Sequence, residues 1–203
     1  GGEEQFIAML DTVFEMPPDF DDSYYGFPIH EIREMQIANM GNYAHGNQPI
    51  QHMIYLYNYA GQPWKTQKWV REVLTRMYNP NADGYCGDED NGQTSAWYVF
   101  STMGFYPVAP GTDQYVFGAP LFDKITMQLE NGNELDIEAP NNSAENFYVD
   151  KIELNGNKVD KNYITHEQIQ HGGKLVFYMS GEPDKKHGTT KDSYPYSMTN
   201  EVE

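Results

Sequence analysis

Cysteine is almost missing from this chain, positive charge is scarce, and no long apolar run occurs. A single cysteine, Cys86, excludes an intrachain disulfide, which by itself says little about compartment. No neighbouring base or cation activates that thiol, which reads as inert. Lysine and arginine number 13 against 30 aspartates and glutamates, a net charge of −17. Such a surface repels phosphate backbones and anionic membranes, which argues against nucleic acid as a partner. No apolar stretch approaches the roughly 20 residues of a membrane helix, so membrane insertion is not expected. The opening Gly-Gly-Glu-Glu-Gln-Phe-Ile-Ala-Met-Leu reads as the start or middle of a helix, and no signal peptide is expected in it. The chain is therefore expected to be a C-terminal fragment of something larger.

What is present points to a folded protein. Of 203 residues, 39% are hydrophobic and 14% aromatic, including 16 Tyr, enough for one large domain or two small ones. Tyrosine and tryptophan offer flat apolar faces with a polar handle, which suits carbohydrate as well as a core. Phe6, Ile7, Leu10, Val13 and Phe14 share one helix face, stopped by Met16-Pro17-Pro18. A second helix is expected over about 30–40, ahead of Gly41. Pro49 and Pro63 sit where first-turn prolines belong, predicting a helix from Ile50 to Tyr59 and a longer one reaching about Asn79. Another is expected from Gln93 to Met103, closed by Gly104. Beyond about residue 113 the period falls to two: Ile125, Met127 and Leu129, a turn at Asn131-Gly132, then Leu135 and Ile137. Strands around 147–149, 152–154 and 174–177, with a turn at Asn155-Gly156, complete an antiparallel β unit. The fold class is thus α+β.

Three clusters can carry chemistry. Gly87-Asp88-Glu89-Asp90-Asn91-Gly92 crowds carboxylates onto a glycine-bracketed turn ahead of an apolar helix. Asp88 and Asp90, two residues apart, can face one way while Glu89 faces the other, to bind a cation or deprotonate a water. The competing reading is a helix cap, with Asp90 or Asn91 satisfying free N–H groups. Asn79 to Asp90 also imitates an EF-hand loop with Gly84 at its sixth position, but its first and twelfth ligands are poor. Tyr43-Ala44-His45-Gly46-Asn47-Gln48-Pro49-Ile50-Gln51-His52 joins amides and imidazoles at a loop-to-helix junction. His45 and His52 lack zinc spacing, while Asn47 and Gln48 offer oxygen ligands suited to calcium. His30-Glu31 opens the second helix, where an acidic residue complements the helix dipole. The aromatic sets around Trp64, Trp69 and Trp97 fit a core better than a sugar platform.

Taken in order, Tyr43–Pro49, Tyr55–Gln67 and Gly87–Tyr98, followed by Gly104-Phe105-Tyr106-Pro107 and Pro120-Leu121-Phe122-Asp123, resemble glycoside hydrolase family 92 over nearly the whole chain. That family comprises calcium-dependent, inverting exo-α-mannosidases abundant in gut Bacteroidetes. The resemblance implies that residues 1–110 are the last helices of an (α/α)6 barrel and that 111–203 form its antiparallel β-rich C-terminal segment. It implies Asp88 and Asp90 as catalytic-base aspartates, and Asn47, Gln48 and Asp90 as the protein shell of a calcium ion. His30 and Glu31 resemble the pair that holds the leaving sugar in members favouring α-1,2-linked mannose. Gln48 stands where many members have glutamate, which removes one charge beside the cation. The substrate implied is a mannose-containing oligosaccharide or N-glycan, and the location is secreted, periplasmic or cell-surface. The general acid is implied to lie in a missing N-terminal part, so the isolated fragment is expected to be inactive. The alternative is a non-catalytic glycan-binding or structural β module whose acidic turn is only a cap.

Overall fold

The computed structural model describes residues 2–201, and the chain is α+β. It divides into two compact units. The first takes the chain up to Met53 together with Glu72–Tyr98; the second takes Ile54–Arg71 together with the chain from Val99 onward.

In the first unit, α1 (Glu3–Glu15) buries Ile7 and Leu10, two residues of its apolar face, and Met16-Pro17-Pro18 ends it. α2 (His30–Ala38) buries Ile32 and Met35. It stops two residues before Met40 because Asn39 turns into the left-handed region, φ 49°, and its N–H closes on the Met35 carbonyl. The segment after Gly41 is pinned to α1, where the Asn42 N–H donates to the Val13 carbonyl at 2.7 Å and the Tyr43 ring packs on Phe14.

The expected helix after Pro49 is replaced by two 3₁₀ segments, Gln48–Ile50 and Met53–Ala60. Side chains supply the reason. The Thr66 hydroxyl donates to the Ile54 carbonyl at 2.8 Å, and the Asn58 amide donates to the Tyr55 carbonyl at 3.1 Å. Carbonyls that an α-helix would use thus carry side-chain donors. α3 (Pro63–Arg76) starts at its proline as expected and ends short of Asn79, and α4 (Gln93–Met103) has the expected bounds, closed by Gly104 at φ 94°.

The second unit holds two sheets. β1 (Phe105–Tyr106), β2 (Gln114–Phe117) and β7 (Tyr163–Thr165) form one in the order β1-β2-β7. The other has the order β3-β4-β8-β5-β6, built from β3 (Lys124–Gln128), β4 (Glu134–Glu138), β5 (Tyr148–Leu154), β6 (Asn157–Lys158) and β8 (Gly173–Ser180). The β5–β6 hairpin turns at Asn155-Gly156, both at positive φ, which is the geometry that matches strand twist. The unit is antiparallel β-rich as expected, and one pairing within it, β4 with β8, runs parallel. β8 slots between β4 and β5 only after the chain has passed through β7 and a short helix, α5 (His166–His171). That helix carries a capping box in which Thr165 and Gln168 satisfy each other's backbone N–H groups. Leu135, Ile137, Ile152, Leu175 and Phe177 alternate into the core, where Phe177 meets Phe117 edge-on at 5.6 Å.

Candidate functional site

All six residues singled out for chemistry fall in the first unit. Its centre is an aromatic box around His45, which is fully buried. The His45 Nδ1 and Nε2 atoms each lie 2.8 Å from a hydroxyl, of Tyr43 and Tyr78 respectively. A neutral imidazole satisfies both, donating from one nitrogen and accepting on the other. The Trp97 ring meets it edge-on at 4.2 Å and stacks on Tyr78. Burial drives the His45 pKa down to about 3, so the ring stays uncharged. Both nitrogens are committed, which makes His45 an anchor and not a ligand. The anchor extends outward: Gln51 donates to the His45 carbonyl at 3.2 Å, and the Trp97 indole donates to the Gln51 carbonyl at 3.2 Å. The backbone of Gly46-Asn47-Gln48 therefore leaves from a fixed point.

The acidic turn sits against that backbone. Gly87, Asp90, Asn91 and Gly92 all have positive φ, so the chain coils tightly before α4. The helix cap expected from Asp90 or Asn91 is supplied by Glu89 instead. Its carboxylate accepts from the Gly92 N–H at 2.7 Å, the Ser95 hydroxyl at 2.7 Å and the Ser95 N–H at 3.4 Å. Those bonds hold its pKa below the usual carboxylate value, with the Ser95 hydroxyl the largest cause. An N-cap residue needs extended backbone, which left-handed Asp90 and Asn91 do not have. Asp88 and Asp90 are consequently exposed, and neither carboxylate has a hydrogen-bond or ion-pair partner among the described residues.

The turn is nevertheless held from three sides. The Asp88 carbonyl accepts from the Gln48 amide at 2.7 Å and from the Thr94 hydroxyl at 3.0 Å. The Gly87 N–H donates to a Glu34 carboxylate oxygen at 2.6 Å. Glu89 ties the far end to α4, as above. Gln48 is thus brought to the turn as expected, but through its nitrogen. Since a carbonyl can only accept, the Gln48 NH2 faces Asp88, with Thr94 also in reach at 3.3 Å. Its Oε1 atom points elsewhere, with no protein partner among the described residues. Asn47 is exposed next to it. Among the described residues the side-chain oxygens of Asn47, Gln48, Asp88 and Asp90 carry no protein partner, and oxygens of this kind suit a hard cation such as calcium.

His30 and Glu31 lie at the first turn of α2, with His30 Nε2 and Glu31 Oε1 3.3 Å apart. Their side chains are 54% and 30% exposed, which leaves the pair open to a polar ligand. Among the described residues no bond joins them to Asp88 or Asp90; the link is α2 itself, whose Glu34 holds Gly87. The EF-hand alternative gains no support: the Asn79 side-chain oxygen accepts from the Asn81 N–H at 3.0 Å in a local turn, and among the described residues no three His, Cys, Asp or Glu side chains gather where they could hold a metal ion. Cys86 is inert as expected, its pKa pushed up to about 12 by burial and then by the Glu34 charge. Glu34, Glu89 and Thr94 are the contributors that sequence reasoning missed.

The model of the glycosyl hydrolase family 92 catalytic domain matches residues 1–181. An inverting family 92 mannosidase of Bacteroides thetaiotaomicron is 52% identical with a TM-score of 0.83, covering 98% of this chain and 27% of its own. A family 92 α-mannosidase of the same organism, solved in complex with mannoimidazole, is 39% identical with a TM-score of 0.87 over 97% of this chain and 25% of its own. An uncharacterized secreted glycosidase of Arthroderma benhamiae is 29% identical over 98% of this chain and 23% of its own length. The chain thus spans about a quarter of the length of these relatives.

Proposed function

The chain belongs to glycosyl hydrolase family 92, and from that premise we propose that it is the C-terminal part of a secreted, inverting, calcium-dependent α-mannosidase acting on mannose-containing glycans. One observation carries the reading: Glu89 does the capping, so Asp88 and Asp90 stand exposed and unpartnered on a turn that is clamped on both sides. Exposed carboxylates on a turn whose backbone is held in place can take up a water or a cation without first giving up a protein partner.

In an inverting hydrolysis a carboxylate takes a proton from water as the water oxygen attacks the anomeric carbon, on the face opposite the departing sugar. Asp88 and Asp90 hold and deprotonate that water. A general acid outside this chain protonates the leaving oxygen, so these residues alone release no mannose. Asn47 Oδ1, Gln48 Oε1 and an Asp90 oxygen would form this chain's share of a calcium shell. When bound, calcium supplies a positive charge that engages and orients sugar hydroxyls. His30 and Glu31 present a hydrogen-bonding pair to the leaving sugar, which favours an α-1,2 linkage. The helices before about residue 110 belong to an (α/α)6 barrel on this reading.

The test uses the full-length protein that carries this segment, assayed for mannose release from an α-1,2-linked mannobiose. Proton NMR of early product should show the β-anomer first. Asp90→Asn should lower kcat by ~10²–10⁴-fold, the usual contribution of a general base. A wild-type protein that releases no mannose, or an Asp90→Asn variant with unchanged kcat, would overturn the assignment.

A further inference from the structure

Glu34 is a residue the proposed reaction does not require and the sequence gives no reason to notice. It lies on α2, one turn beyond His30, and its carboxylate sits where two loop backbones cross. One oxygen accepts from the Gly87 N–H at 2.6 Å. The other, Oε2, is shut off from solvent and has no hydrogen-bond partner. The crossing itself leaves no spare room. A Cβ at Gly46 would overlap that Oε2 atom and lie 2.9 Å from the Gly87 nitrogen and Cα. A Cβ at Gly87 would in turn overlap the Gly46 carbonyl oxygen and lie 2.7 Å from the Gly46 Cα. The backbone that carries Asn47 and Gln48 and the backbone that carries Asp88 and Asp90 thus touch at two glycines, with Glu34 beside the contact.

A carboxylate oxygen left buried and unpartnered is costly, and an apolar side chain would fill the same space without that cost. What an apolar side chain cannot do is accept the Gly87 N–H. That N–H belongs to the residue immediately before Asp88, in the left-handed conformation (φ 63°) that starts the turn. The Gln48 amide holds the next peptide by its carbonyl. We propose that Glu34 is a positioning residue for the acidic turn: its hydrogen bond to Gly87 fixes where Asp88 and Asp90 stand relative to the Asn47–Gln48 backbone. It acts through Gly87 and touches neither substrate nor the reacting water. The same helix presents His30 and Glu31, so α2 sets the register between the leaving-sugar contacts and the base. The inference rests on the mannosidase reading only for its effect on rate.

The experiment compares Glu34→Met, which keeps volume and loses the acceptor, with Glu34→Gln, which keeps an oxygen for Gly87. Both are made in the full-length protein, with kcat and KM for mannose release and amide hydrogen exchange of the 86–92 peptide as readouts. Glu34→Met should lower kcat by ~10–100-fold with KM within about threefold, since an error of about 1 Å in placement costs that much. Exchange over 86–92 should quicken by at least ~10-fold while the peptide around His45 is unchanged. Glu34→Gln should restore most of both. Unchanged kcat and exchange in Glu34→Met, or an equal loss in Glu34→Gln, would overturn the proposal. Exchange that rises everywhere in both variants would also overturn it, since Glu34 would then be a general stabiliser. A wild-type protein without mannosidase activity refutes the functional reading alone, and the exchange data still decide the role of Glu34.

Discussion

Acidification should loosen this protein before its carboxylates begin to protonate, and His45 is the reason. The imidazole is fully buried, and desolvation lowers its pKa from 6.5 to about 3. Above pH 6.5 His45 is neutral in both folded and unfolded chains, and the benefit of the Tyr43 and Tyr78 hydrogen bonds is fully present. Below it the unfolded chain takes up a proton that the folded chain refuses until about pH 3. Stability is therefore lost as pH falls through that window, by about 1.4 kcal/mol per pH unit and ~5 kcal/mol in total. Against a typical domain stability of ~5–15 kcal/mol this is a large share. Carboxylates with lowered pKa, such as Glu89 and Glu153, add their own loss only nearer their ordinary value of 4.5. His187, also lowered chiefly by burial, acts in the same direction as His45, so a variant is needed to separate them. Urea unfolding of wild type and His45→Gln, followed by the fluorescence of Trp97 beside the ring, provides it. Between pH 6.5 and 4.5 the wild type should lose ~2–3 kcal/mol more than the variant. Equal pH slopes, or an NMR titration placing His45 near 6.5, would refute the buried-neutral assignment.

Where local chemistry decides an element, the sequence showed it. α4 begins after Gly92 and ends at Gly104 because two glycines at positive φ punctuate it, and Asn155-Gly156 announced its hairpin for the same reason. The capping box of α5, Thr165 with Gln168, was equally readable and passed unnoticed among strand signals. Other features depend on partners distant in sequence. The 3₁₀ segment Met53–Ala60 owes its form partly to the Thr66 hydroxyl, and the parallel β4–β8 pairing joins residues about 38 apart, with no local mark on either strand. The site divides in the same way. Asp88, Asp90, Asn47 and Gln48 stood out by residue type and spacing, and Gln48 does meet the Asp88 backbone. Glu89 did not, because short side chains are the preferred caps and nothing local says that Asp90 and Asn91 take left-handed backbone. Glu34 is visible only once α2 is folded against Gly87.

Two further predictions concern the crossing and the cation. Gly87→Ala places a Cβ against the Gly46 carbonyl and forces alanine to φ 63°, so urea unfolding should show a loss of ~2–4 kcal/mol, combining left-handed strain with overpacking. A loss below about 0.5 kcal/mol would mean that the two loops do not cross as closely as described. The last test is Gln48→Glu, in which two effects oppose each other. The variant loses the amide donors to the Asp88 carbonyl and the Thr94 hydroxyl, and in chelator it should melt below the wild type because a carboxylate then faces a carbonyl oxygen. Added calcium should reverse the order: a second full charge tightens an oxygen site, and each tenfold gain in affinity adds about 1.4 kcal/mol of stability at saturating metal. The calcium-induced rise in Tm should therefore be larger in Gln48→Glu than in wild type, and magnesium, which demands a stricter octahedral shell, should give less. Equal calcium shifts in the two proteins would remove Gln48 from the metal shell and leave it as a clamp on the acidic turn.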